Sequence, residues 1–268
     1  MMKTLYALFA VLVCTSCASS YNIQGSSNIS NLDGEKLYLK VLENDVVKNL
    51  DSCDVVHGKF VLTGTIDSVC IASLFMNEVQ MRPIVLEQGD ISMHIDYTSY
   101  DVKGTPLNER MTVFLNESNK IQSQLQELNQ EEYEGVASGA DMEEVYASIN
   151  RKMAALDSQY EKLLTKFVED NFDNVLGPWA FSLYAIKYPY PMLDDWIDFI
   201  MSKATSKFKN DPLIRGYYEA AQKNQNIMNG MENPVNAASV APAPGTTIDA
   251  AAAPKTPAEL AGDTATKR

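Results

Sequence analysis

The chain has 268 residues, 46% of them hydrophobic, and carries a formal net charge of −13 at pH 7. So acidic a surface repels phosphate backbones and excludes nucleic acid as an expected partner. With only two histidines a histidine-rich metal centre is excluded, and no cofactor is expected.

The chain opens as an address. Lys3 precedes an unbroken apolar run over residues 5–13, far shorter than the roughly 20 residues needed to cross a bilayer. A positive start and a short apolar run make residues 1–16 a secretory signal. It ends in Val13-Cys14-Thr15-Ser16-Cys17, which resembles a bacterial lipobox, although Leu is usual where Cys14 stands. The Cys17 thiol would carry a diacylglyceryl group, and cleavage between Ser16 and Cys17 would free its amine for a further acyl chain such as palmitate. At about 0.8 kcal/mol per buried CH₂, several chains make a lasting anchor. The competing reading is cleavage to a soluble secreted protein. Cys14 and Cys17 are spaced like a redox pair, but a thioredoxin motif belongs at a strand-to-helix turn, and Cys14 leaves with the signal. Residues 17–20 read as a lipidated, flexible tether. No acidic cluster resembling a lipoprotein surface-export signal follows Cys17, so the lipobox resemblance implies an outer-membrane anchor facing the periplasm.

Residues 21–105 read as short strands with turn punctuation. Leu37-Tyr38-Leu39-Lys40-Val41 is rich in β-formers. Val55-Val56 and Lys59-Phe60-Val61-Leu62-Thr63 flank His57-Gly58, a two-residue hairpin turn, and Phe60 and Leu62 share a face. Val69-Cys70-Ile71-Ala72 follows. Ile84-Val85-Leu86 and Ile91-Ser92-Met93-His94-Ile95 flank a second expected hairpin at Glu87-Gln88-Gly89-Asp90. Strands so spaced, without helices between them, predict an antiparallel β-sandwich or open barrel.

Residues 106–230 read as helical, so the fold class is α+β. Thr105 is placed to cap and Pro106 suits a first helical position. Met111, Phe114, Ile121, Leu125 and Leu128 form one stripe, and a loop is expected around Gly135 and Gly139. Asp141 and Glu144 resemble a capping box. A heptad-like stripe then runs through Met142, Val145, Ile149, Met153, Leu156, Tyr160, Leu163 and Phe167. An antiparallel helix pair packing on itself is the expected arrangement; an intermolecular coiled coil is the alternative. Shorter helices are expected from near Pro178, Pro191 and Pro212. Between them, Tyr188-Pro189-Tyr190-Pro191 is a rigid turn that either closes a core edge or contacts a ligand. Residues 231–268, rich in Ala and Pro, cannot bury enough apolar surface to offset their ordering entropy and read as a disordered tail.

Several phrases, taken in order, carry a resemblance. They are Asp51-Ser52; Gly58-Lys59-Phe60-Val61-Leu62-Thr63-Gly64; Leu86-Glu87-Gln88-Gly89-Asp90-Ile91; and Gly104-Thr105-Pro106-Leu107-Asn108. Residues 21–120 resemble the domain of unknown function DUF 4369 of Bacteroidetes lipoproteins. Asn174-Val175-Leu176-Gly177 resembles the segment that often follows it. In many relatives that segment leads to a thioredoxin-like domain with Trp-Cys-x-x-Cys. Here the Ala/Pro-rich tail stands in its place, so thiol-disulfide activity is not implied for this chain. What the resemblance implies is a membrane-anchored periplasmic β-domain with a helical extension.

Candidate chemistry is sparse. Cys53 and Cys70 are either buried thiols or a disulfide closing a loop worth roughly 3 kcal/mol. His57 lies in a turn and His94 mid-strand; each could pair with Asp54 or Asp96, but surface roles are commoner. Asp194-Asp195, Asp198 and Glu131-Glu132-Glu134 read as solvated faces, although two facing carboxylates could serve glycoside hydrolysis. Asp67-Ser68-Val69 and Asp263-Thr264-Ala265 resemble the Bacteroidetes O-glycosylation pattern at Ser68 and Thr264. No nucleophile-elbow, zinc-protease or phosphate-loop motif occurs. The expected function is a noncatalytic, lipid-anchored binding or interaction module for an envelope protein or small ligand. The alternatives are an accessory to an envelope thiol-redox system and a carboxylate-dependent carbohydrate hydrolase.

Overall fold

The structure is a computed structural model, and it describes residues 19–43, 46–77, 79–96 and 100–231. Among the described residues, eight strands form two four-stranded sheets that face each other across a common core. They are β1 (Ser19–Ser27), β2 (Lys36–Glu43), β3 (Val46–Asp54), β4 (Lys59–Ile66), β5 (Cys70–Met76), β6 (Val79–Leu86), β7 (Gly89–Ile95) and β8 (Tyr100–Lys103). One sheet has the order β4-β1-β7-β8, the other β3-β2-β5-β6. Period-two burial sends Phe60, Leu62 and Ile66 of β4, and Ile91, Met93 and Ile95 of β7, into the core. The Phe60 ring occupies the space where Gly25 of β1 has no side chain.

Three sequence expectations change. Ser19 and Ser20 are not tether: they pair with Ile66 and Thr65, so β1 begins two residues after Cys17. The β1–β7 pair is parallel, with Ile23 opposite Ile91, inside an otherwise antiparallel sandwich. Glu87-Gln88 is not a hairpin. It joins β6 of one sheet to β7 of the other, so the chain crosses the core instead of folding back beside itself. The His57-Gly58 turn does form, with φ of 51° and 67°, the left-handed pair that a type I′ turn requires. Beyond Val56 and Lys59 its two strands also part to different sheets.

Both seams between the sheets are closed by side chains. At one, Asp51 on β3 accepts from the Ser52 N–H at 2.7 Å and from the Thr63 N–H of β4 at 3.2 Å. At the other, helix α1 (Pro106–Ser138) lies against the edge strands β6 and β8. Asn108 accepts from the Val85 N–H at 2.9 Å and donates to the Val85 carbonyl at 2.7 Å. One amide thus replaces the missing neighbour strand of β6. One turn on, the Thr112 hydroxyl donates to the Val102 carbonyl of β8 at 2.8 Å. Edge groups that would otherwise invite another strand are satisfied from the helix.

Thr105 does not cap α1 through its hydroxyl, which instead accepts from the Asn108 amide at 2.9 Å. Glu87 takes that role from the end of β6: its Oε1 accepts from the Leu107 and Asn108 N–H groups at 2.8 and 3.2 Å. A carboxylate there also meets the positive end of the helix dipole.

Helix α1 runs straight through Gly135, where a loop was expected, because the bare glycine admits the Val145 side chain of the next helix. It ends at Gly139 in the left-handed region. Asp141 caps α2 (Met142–Asp170) by accepting from the Glu143 N–H at 3.0 Å. The two helices form the expected antiparallel pair. On α2 the fully buried residues are Leu164 and Val168, which lie off the expected stripe, while Met153 on that stripe is exposed. The C-terminal half of α2 serves two neighbours, α1 and a helical core made by α3 (Leu176–Ala185), α4 (Asp195–Lys203), α5 (Ser206–Lys209) and α6 (Pro212–Met228). A smaller cluster of Val85, Met111 and Leu176 joins the sandwich to the helices. Asn174 caps the start of α3 at the Leu176 N–H, 2.9 Å, and a Cβ on Gly177 would lie 2.4 Å from the Asn171 carbonyl oxygen. No helix among the described residues is long and apolar enough to cross a membrane.

Candidate functional site

The helical core carries an open groove of about 780 Å³ between α2 and α4, lined by Glu161, Thr165, Glu169, Asp194, Trp196 and Phe199 among others. Its floor is aromatic. Trp196 stacks on Tyr184 at 3.9 Å and 19°, and its indole N–H donates to the Thr165 hydroxyl at 2.7 Å. Lys187 sits 4.5 Å from the centre of the Tyr184 ring, a cation–π contact that supports the stack. The rim is charged: Glu169 pairs with Lys203 at 2.6 Å and Lys166 with Asp170 at 2.6 Å.

Asp194 is the hub, and it is not the solvated acid its sequence context suggested. Its Oδ1 accepts from the Ile197 N–H at 2.8 Å, which caps α4. Its Oδ2 accepts the hydroxyls of Tyr184 and Tyr188, each at 2.6 Å. Burial pushes its carboxyl up, but these bonds outweigh burial and hold its pKa below the usual carboxylate value. Tyr184 is pushed up by burial and by Asp194, and Tyr188 chiefly by its bond to Asp194. The Tyr188-Pro189-Tyr190-Pro191 turn therefore closes a core edge through Tyr188, while Tyr190 is exposed. Sequence reasoning missed this trio; its signal was an Asp in N-cap position shortly after the Tyr/Pro run.

The other predicted residues are not gathered into one site. Cys53 on β3 and Cys70 on β5 are thiols, not a disulfide. Strand β2 lies between them, with Cys53 opposite Leu37 and Leu37 opposite Met76, six residues along β5 from Cys70. At about 3.3 Å per residue that offset alone is roughly 20 Å. Burial, and then the Asp51 carboxylate, push the Cys53 thiol up to about 11. It should therefore alkylate at pH 8 about 100-fold more slowly than an exposed cysteine, with the rate climbing toward pH 11. Iodoacetamide kinetics followed by peptide mass would check this; a rate within threefold of a free thiol would contradict it.

His57 occupies its turn, and His94 bonds the Ser26 hydroxyl at 2.8 Å with Asp96 3.9 Å away. No cluster of three metal-ligating side chains occurs among the described residues. Ser68 lies exposed in the β4–β5 turn. Ser16, Cys17, Thr264 and the tail from residue 232 lie outside the described residues.

Three of the phrases that carried the resemblance turn out to be architecture. Asp51-Ser52 closes one seam, and Glu87 with Asn108 joins the sandwich to α1 at the other. Gly89 and Gly104 meet at that joint: a Cβ on Gly104 would lie 2.4 Å from the Asp90 carbonyl oxygen. The chain matches no curated protein and no solved structure. Residues 21–111, the sandwich together with the start of α1, match the family described as a domain of unknown function (DUF4369).

Proposed function

We propose that the chain is a lipid-anchored cell-envelope protein acting as a noncatalytic binding or interaction module, attached to the outer membrane through Cys17 and facing the periplasm. One observation carries the noncatalytic part. Asp194, one of the acids lining the groove, is held ionised and has both oxygens engaged in the fold. A general acid for glycoside cleavage needs the opposite, a carboxyl held protonated. The groove instead offers an aromatic floor and a rim of both charges, which suits holding a peptide or small polar ligand. The thiol-redox reading is supported less, since Cys53 is pushed away from its thiolate and Cys70 lies on another strand.

The test has two arms. In a host that lipidates such signals, the wild-type chain should enter the detergent phase and show the acylated mass at Cys17. Cys17→Ala should remain in the aqueous phase. A photo-crosslinker at Phe199 in the groove should then capture a reproducible envelope partner from native membranes, and one at Tyr133 on the distal part of α1 should not. A Cys17→Ala chain that stays with the membrane, or equal capture at both positions, would count against the proposal.

A further inference from the structure

We infer that the end of the β-sandwich where β1 starts docks on the lipid bilayer, with the β2–β3 ribbon entering the headgroup region. The inference rests on the anchored reading above and adds to it which surface faces the lipid.

Cys17 precedes Ser19, the first residue of β1, by two peptide units, so their Cα atoms lie within about 7 Å of each other. Acyl chains on Cys17 would hold this end of the sheet at the membrane surface. Strand pairing then identifies what else lies there. Ser19 pairs with Ile66 at the end of β4, and the exposed turn Asp67-Ser68-Val69 leads on to Cys70 at the start of β5. The start of β5 lies beside the end of β2, with Val41 opposite Ala72. Leu42 in turn lies opposite Val47 of β3. The outer parts of β2 and β3 are therefore at the same end as the anchor.

Beside the exposed Lys48 and Asn49, that ribbon leaves several apolar side chains uncovered. Leu42 is 44% exposed, Val46 57%, Val47 58% and Leu50 43%, and Val69 in the neighbouring turn is 39% exposed. Neighbouring strand residues point to opposite faces, so Val46 and Val47 present an apolar surface on both sides of the ribbon. On β7 the alternation buries Ile91, Met93 and Ile95, and on β4 it buries Phe60, Leu62 and Ile66 and leaves Val61 exposed. A ribbon with apolar side chains on both faces and Lys48 and Asn49 among them, at the end where acyl chains would enter a bilayer, matches the mixed chemistry of the acyl–headgroup boundary. The net charge of −13 gives anionic lipids no reason to attract it, so the contact is apolar and should resist salt.

The test uses the full chain, lipidated at Cys17 and reconstituted into phosphatidylethanolamine/phosphatidylglycerol vesicles with brominated acyl chains. An indole introduced by Val47→Trp should be quenched at least threefold more than the native Trp179 and Trp196 background, equally in low salt and 0.5 M NaCl. The control is Val61→Trp on β4, which is exposed but away from this end, and it should not be quenched. If the chain floats with the vesicles but Val47→Trp behaves like Val61→Trp, docking is overturned and the anchor stands. If the chain does not float, the anchored reading fails and docking falls with it. Crosslinking between two copies at position 47 without quenching would assign the ribbon to strand pairing between copies and would also overturn the inference.

Discussion

Replacing Asn108 by alanine should destabilise the fold by about 4 kcal/mol and lower its melting temperature by about 10 °C. The side chain is 1% exposed and makes three hydrogen bonds, two of them to the backbone of Val85. Truncation leaves a buried N–H and a buried carbonyl on β6 without the partner that substitutes for a neighbour strand. Each stranded buried group costs about 1–3 kcal/mol, and the small cavity adds to that. Asn108→Asp sharpens the test. It keeps an acceptor for the Val85 N–H but loses the donor to the Val85 carbonyl, and it sets a second carboxylate beside Glu87, which bonds the Asn108 N–H. Burial and that neighbour would raise the new acid's pKa in the folded state. Its destabilisation should then be large at pH 7 and shrink toward pH 5, where the protonated acid can again donate. Urea midpoints at both pH values would read this out. An Asn108→Ala loss below 1 kcal/mol would mean that water or a shifted α1 replaces the amide.

How much of this was readable in advance follows from which forces act locally. Phe60 with Leu62, and Ile91 with Met93 and Ile95, alternate plainly, so their strands and the β-rich class were legible. The stripe of Met111, Phe114, Ile121 and Leu128 equally announced α1. Strand β1 was harder. Its start is Ser-Ser, and Gly25 sits where the pattern needs a large residue, because Phe60 from another strand fills the gap. The division into two sheets was not legible at all. A turn such as Glu87-Gln88-Gly89 looks alike whether its strands pair or part, and only the non-local pairing of β6 with β5 and of β7 with β1 tells the two apart. The same holds for Asp194. Beside Asp195 and Asp198 it resembles an exposed acidic run, and only folding brings Tyr184 and Tyr188 to it from ten and six residues away. The resemblance pointed to the right phrases, but their positions in the structure explain them as joints of the scaffold rather than as chemistry.

Replacing Asp194 by alanine should cost about 3 kcal/mol, the second-largest single-residue effect expected here. An N-cap removed in favour of alanine costs about 1 kcal/mol, and each hydrogen bond to a charged acceptor contributes about 1.5 kcal/mol or more, discounted because the carboxylate is only half-buried. Asn in its place can still cap α4, and both tyrosine hydroxyls can turn to accept from its amide, so Asp194→Asn should lose only about 1 kcal/mol. The pH dependence separates the charge from the geometry. The Asp194 pKa is lowered in the folded state, so its contribution is complete above the unfolded carboxyl value and is lost as pH falls through the folded one, below about 4. At the other end, Tyr184 and Tyr188 have raised values, so the protein should lose stability as pH climbs beyond about 10, where the unfolded phenols ionise first. Asp194→Asn should flatten both limbs, because the charge that favours the acid form of the tyrosines and the base form of residue 194 is gone. Urea midpoints from pH 2.5 to 5 and from 9 to 11, for wild type and Asp194→Asn, would measure both slopes. Parallel curves would mean that Asp194 holds the groove by shape alone, and the claim that it lines the groove with a fixed, committed charge would fall.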